Sequence, residues 1–241
     1  MADTLPLAST PAGDAAPSRR WEVPTVWALF IVLSYFPLFL NLDALPLREW
    51  DESRQAISAY EMMKSHDFLV ARFEGEPDMW STKPPFLVWC QALLFMLFGP
   101  GELALRLPSA ICAFLTGAAL LYVCIRWLRR PWMGLIAAML LCTAQGYVTS
   151  HVSRTGDYDA MLTFFLVVMM VCAFRFERSG SKRAVGWLFA ALALAILTKS
   201  VQGVLMLPGI GLYLLFTGAW RGFLRLRHTW IGLGAVIVAV G

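Results

Sequence analysis

Residues 103–125 read LALRLPSAICAFLTGAALLYVCI, and RWLRR follows at once at 126–130. This run carries one charge, Arg106, and is long enough to cross a bilayer, whose hydrocarbon core takes about 20 helical residues. The arginines Arg126, Arg129 and Arg130 mark where the chain leaves the lipid. The same alternation of apolar run and polar joint continues on both sides, over 23–42, 132–149, 161–174, 185–197, 201–216 and a last run from 229. Of the 241 residues 59% are apolar and 15% charged, and the mean hydropathy is +0.63, well outside the usual globular balance. The expected fold class is an all-α polytopic membrane protein, with no room for a sizeable soluble domain. A net charge of +4, without interleaved basic and aromatic residues, gives no sign of nucleic-acid binding. The cysteines Cys90, Cys112, Cys124, Cys142 and Cys172 stand singly in apolar runs and read as packing thiols.

Charge placement orients the chain. Residues 1–20 are rich in Ala, Pro, Thr and Ser and read as a disordered cytoplasmic tail. No cleavage site follows the run 23–42, which reads as a first anchor. Residues 84–98 are too short for a comfortable span and read as interfacial or re-entrant. With that segment kept on one side, Arg19/Arg20, Arg126/Arg129/Arg130, Arg175/Arg178/Lys182/Arg183 and Arg221/Arg225/Arg227 all share a face. Together they hold 12 of the 20 basic residues. The positive-inside rule makes that face cytoplasmic. The loop 43–83, with 9 of the 16 acidic residues, then lies outside together with the turns 150–159 and 198–202. Within the loop, 51–64 reads as a surface helix, with Ala56, Ile57, Tyr60 and Met63 on one face and Asp51, Arg54, Ser58 and Glu61 on the other.

Three outer segments carry the unusual charges. Asp51-Glu52-Ser53-Arg54 opens the surface helix, where Asp51 and Glu52 also suit a cap and the positive end of the helix dipole. His151, Arg154, Asp157 and Asp159 occupy a short turn whose plain reading is solvation. Lys83 in Ser81-Thr82-Lys83-Pro84-Pro85 also suits a side chain snorkelling to the interface. Lys199 is the sole charged residue between 185 and 216. One helix of that length would be about 48 Å, too long for a bilayer, so Lys199 belongs at a tight outer turn. Cations gathered from four places on one face suit an anion such as a phosphate. A carboxylate among them could take the proton of an attacking hydroxyl or amine. A transporter or lipid flippase, the rival reading, should show broken helices in two related halves, and no internal repeat is visible.

The order Asp51-Glu52-x-Arg54, Lys83-Pro84-Pro85, Arg106-Leu107-Pro108-Ser109, Arg154-Thr155-Gly156-Asp157-Tyr158-Asp159-Ala160 and Leu197-Thr198-Lys199 resembles the membrane glycosyltransferases of the protein mannosyltransferase and aminoarabinose transferase type. The resemblance implies a GT-C transmembrane helix bundle over 21–241, with residues 43–98 as outer catalytic loop and juxtamembrane helices. It implies transfer of a sugar, with inversion, from a polyprenyl-phosphate donor to a lipid or protein acceptor. The site would face the periplasm from a bacterial inner membrane. Asp51 matches the catalytic aspartate and Asp159 the second outer acidic position, for which Asp157 competes. Glu52, Arg54, Lys83, Arg154, Asp157 and Lys199 are the implied substrate-binding residues, Lys83 and Lys199 near the donor phosphate. A divalent metal has no support here: Thr82 stands where aminoarabinose transferases place Glu, and His66 and His151 form no ligand spacing. Because such enzymes are much longer, the chain reads as an amino-terminal portion that lacks later spans.

Overall fold

The computed structural model describes residues 20–49, 51–79, 83–149 and 152–240. The tail expected over 1–20 lies outside these except for Arg20, as do Thr82 and His151. Helix α1 (Glu22–Leu38) is followed by α2 (Asp51–Ser65), a two-strand ribbon of β1 (Arg72–Phe73) and β2 (Glu76–Pro77), α3 (Phe86–Phe98) and α4 (Glu102–Val123). A π-helical turn, Cys124–Leu128, ends α4. Then come α5 (Pro131–Thr143), α6 (Gln145–Val148), α7 (Asp159–Ser179), α8 (Lys182–Lys199), α9 (Val201–Val204), α10 (Leu207–Phe216), α11 (Trp220–Arg225) and α12 (Arg227–Val240). The ribbon, closed by Glu74 and Gly75 at positive φ, is the one β element among the described residues.

Two stretches, Glu102–Leu128 and Asp159–Ser179, are long and apolar enough to cross a membrane. The first is the hub: α4 packs against α1, α3, α5 and α7. Small residues make this close approach feasible, as is usual where helices meet in lipid. A Cβ at Gly117 would lie 3.0 Å from the Phe30 ring, and one at Gly134 would lie 2.7 Å from Cys124 Cβ. Phe30 stacks on Phe114 at 5.0 Å between centroids. Helices α7 and α8 form an antiparallel pair joined by Gly180, in the left-handed conformation, and Ser181, whose hydroxyl accepts from Ala184 N–H. A smaller core of Ala59, Met62, Val88, Ala92, Phe95, Ala104 and Leu105 fastens α2 and α3 onto the start of α4.

The bundle has two distinct ends. At one, Trp21 before α1 meets Trp132 of α5, and Trp127 meets Phe174. The basic clusters after α4 and around the α7–α8 turn lie at that end. At the other, the loop after α1 meets the residues just before α7 and the first turns of α4. Helix α3 starts beside Lys83, and Gln91 at its middle donates to the carbonyls of Leu105 and Gly156, at 3.1 and 3.0 Å. Thirteen residues extend about 20 Å, short of the 30 Å hydrocarbon core. With its middle bonded to Leu105 and Gly156, helix α3 packs at this end of the bundle.

Four expected segments differ from the structure. The run 23–42 stops being helical after Leu38, because the carbonyls of Pro37, Leu40 and Asn41 turn to meet Arg154. The run 132–149 breaks at Ala144, whose ψ of 122° is extended; Ser153 then holds the carbonyl of Tyr147 at 2.8 Å. The run 201–216 is divided at Met206, ahead of Pro208, which has no N–H to continue a helix from before it. Ser200, at φ 42°, folds α9 back onto α8. Finally, α2 buries Glu52, Gln55, Ser58, Ala59 and Met62, a face offset from the apolar one that its periodicity shows.

Candidate active site

Helix α2 forms one wall of a cleft of about 720 Å³, lined among others by Asp51, Arg54, Gln55, Asp78, Lys83 and Tyr158. Asp51 opens the helix with its side chain 56% exposed, and Lys83 Nζ stands 3.8 Å from its Oδ1. The ammonium also lies 5.0 Å from the centroid of the Tyr158 ring, so a carboxylate and a π face together locate it. Burial pushes the Tyr158 phenol above its ordinary value, and the charges of Asp157, Asp51 and Asp78 push it the same way. It stays neutral at physiological pH. Arg54, one helical turn on from Asp51, donates from Nε to Asp78 Oδ2 at 3.0 Å and pairs through Nη2 with Asp78 Oδ1. Its guanidinium covers the Phe73 ring at 4.8 Å, which ties the ribbon to α2. The cleft thus offers an exposed carboxylate for a proton beside two cations for an anion.

Glu52 points elsewhere. Its side chain is 1% exposed and takes Arg106 Nε on Oε1 at 2.7 Å and Nη2 on Oε2 at 3.0 Å. It also accepts from Arg48 N–H at 2.8 Å and from Gly156 N–H at 3.0 Å. Burial alone would push the Glu52 carboxyl up; the bonds from Arg106, Arg48 and Gly156 outweigh it and hold the value below 4.5. Arg106 spends its remaining donors on the carbonyls of Leu42, Leu45 and Pro46. Arg154 likewise donates to the carbonyls of Pro37, Leu40 and Asn41 at 2.8–3.0 Å, completing the carboxyl end of α1. Glu52 and Arg154, both expected to bind substrate, are each engaged with the protein here: the Glu52 carboxylate with Arg106 and two backbone N–H groups, Arg154 with three carbonyls.

Asp159 and Lys199 form an ion pair with each other. One begins α7 and the other ends α8, so each also complements a helix dipole. Neither lines the cleft, but Asp159 follows Tyr158, which does. Asp157 is buried; its Oδ1 accepts from Gln55 Nε2 at 3.3 Å and its carbonyl from Ser109 Oγ at 2.7 Å. Of the expected site residues, Asp51, Arg54 and Lys83 share the cleft wall, with Asp157 behind it. Gln55, Asp78 and Tyr158 were missed. Gln55 is signalled only by its place four residues after Asp51 on the same helix, and Tyr158 by standing between two aspartates. Among the described residues no group of three His, Cys, Asp or Glu could hold a metal ion.

The chain matches, over residues 82–241, the family described as dolichyl-phosphate-mannose-protein mannosyltransferase. It is 30% identical over 182 residues to the undecaprenyl phosphate-alpha-4-amino-4-deoxy-L-arabinose arabinosyl transferase of Aeromonas hydrophila, covering 73% of this chain and 32% of that one. It superposes on the apo crystal structure of ArnT from Cupriavidus metallidurans with a TM-score of 0.72 at 28% identity, covering 90% of this chain and 41% of that one. The same ArnT bound to undecaprenyl phosphate gives 0.69 at 24% identity. The chain therefore spans between a third and two fifths of these relatives' length. It has the GT-C fold of ArnT and belongs to the dolichyl-phosphate-mannose-protein mannosyltransferase family.

Proposed function

We propose that the protein transfers a sugar from a polyprenyl phosphate to a lipid or protein acceptor at the extracytoplasmic face of a bacterial inner membrane. The observation that carries this reading is the shared wall of Asp51, Arg54 and Lys83, with the carboxylate 3.8 Å from the ammonium. The acceptor hydroxyl or amine attacks the anomeric carbon and gives its proton to Asp51. The bond from that carbon to the phosphate oxygen breaks, and its electron pair leaves on the phosphate. A single displacement inverts the anomeric centre. Lys83 and Arg54 stabilise the departing phosphate charge, which grows in the transition state and so earns more there than in the bound donor. The basic end of the bundle supports the orientation, and undecaprenyl phosphate in the related ArnT supports the donor class.

The test separates binding from chemistry. Asp51→Asn in the full-length protein should abolish transfer, with membrane insertion and undecaprenyl phosphate affinity retained. Lys83→Met should weaken undecaprenyl phosphate binding by about tenfold or more, the loss of one charge-assisted contact. Normal turnover in the first variant removes Asp51 from the mechanism. Unchanged affinity in the second removes Lys83 from the phosphate site.

A further inference from the structure

Gln55 stands on the same face of α2 as Asp51, one turn further along, and lines the same cleft. Residues four apart on a helix have their Cβ atoms roughly 5–6 Å apart, about the width of one sugar ring. Gln55 is 6% exposed. Its amide nitrogen donates to Asp157 Oδ1 at 3.3 Å, and its Oε1 has no hydrogen-bond partner among the described residues. With Asp157 Oδ1 as the acceptor, the NH2 faces Asp157 and the oxygen faces away. Other buried polar atoms also lack partners, namely Gln91 Oε1, Tyr147 Oη and Thr155 Oγ1. Of these residues only Gln55 lines the cleft.

An unpartnered buried acceptor is costly to the protein, and a ligand donor that satisfies it gains what the free site lacks. A site built to hydrogen-bond a substrate group rejects the analogue without it far more strongly than an apolar pocket rejects a missing methylene. The sugar must lie between the phosphate held at Lys83 and the proton acceptor at Asp51, which puts it against this part of the α2 wall. We propose that Gln55 is a specificity-determining residue, its Oε1 accepting a hydrogen bond from a hydroxyl or ammonium group of the donor sugar. Asp157 holds the amide through its nitrogen and so leaves the oxygen without a partner among the described residues. The inference rests on the proposed donor class and deepens it: the cleft selects a sugar with a hydrogen-bond donor at one position of its ring.

Dissociation constants are compared for bare undecaprenyl phosphate and for undecaprenyl phosphate carrying mannose, glucose or 4-amino-4-deoxyarabinose, with wild type and Gln55→Met in lipid nanodiscs. At least one sugar-bearing lipid should bind Gln55→Met about tenfold more weakly than wild type, while the bare lipid binds both equally. In wild type alone, replacing one hydroxyl or amino group of that sugar by hydrogen should cause a similar loss. The same replacement should have no further effect in the variant. If no single deoxy replacement weakens binding to wild type, or if the loss persists undiminished in Gln55→Met, the proposal falls. If bare undecaprenyl phosphate does not bind wild type at all, the donor reading itself falls and takes the inference with it.

Discussion

Asp51 and Glu52 are neighbours in sequence and opposites in circumstance. On a helix, successive side chains diverge by about 100°, so Asp51 opens onto the cleft while Glu52 turns inward under Arg106. The two should respond differently to substitution. Arg106→Met leaves a buried carboxylate with its main partner gone, which should cost about 3–5 kcal/mol and lower the thermal denaturation midpoint of the detergent-solubilised protein. Asp51→Asn should leave that midpoint nearly unchanged, since its side chain is more than half exposed. Acid should reveal the same contrast. The Glu52 value is held below its ordinary 4.5, so its contribution is complete above about 4.5 and is lost as pH falls through the lowered folded value. A thermal midpoint that stays level from pH 6 to pH 3, apart from the loss seen in Glu52→Gln, would contradict this.

Helix ends carry the architecture of the outer face. Arg154 completes α1, Glu52 reaches back over the start of α2, and Asp159 with Lys199 closes the α7–α8 pair. The turn after Lys199 depends on a glycine for closeness rather than for conformation: a Cβ at Gly203 would lie 2.6 Å from the Ala195 backbone carbonyl carbon. Gly203→Val should push α9 off α8 and destabilise by about 1–3 kcal/mol, the usual cost of forced overpacking. Gly186, where an added Cβ meets nothing within 4 Å, serves as the control, and Gly186→Ala should be neutral or slightly stabilising. A thermal midpoint for Gly203→Val equal to that of wild type would show that the α8–α9 contact is not tight.

For the molecule as a whole, the two ends of the bundle make a prediction about sidedness. Leu69, on the outer loop and 86% exposed, and Ser179, at the far end of α7, should react from opposite sides of the membrane when replaced by cysteine. The five native cysteines lie in apolar helices or their ends and are buried or half-buried, which leaves a low background. A membrane-impermeant maleimide applied to spheroplasts should label Leu69→Cys, and label Ser179→Cys only after lysis. Labelling of both in intact cells would break the proposed orientation, and with it the gathering of the outer turns at one surface.

Apolar run length and basic clustering are local properties of the chain, and they are enough to read a helical membrane bundle, its long spans α4 and α7, and the segregation of charge to two ends. The break of the run 201–216 ahead of Pro208 was not read from the sequence, because the stretch is apolar throughout. The assignment of each charged side chain was not local. Arg154 and Lys83 look alike as lone outer cations, yet one donates to three backbone carbonyls and the other stands beside Asp51 and a ring. Whether a charge faces a ligand or a neighbour depends on partners scores of residues away, and only packing brings those partners within hydrogen-bonding distance.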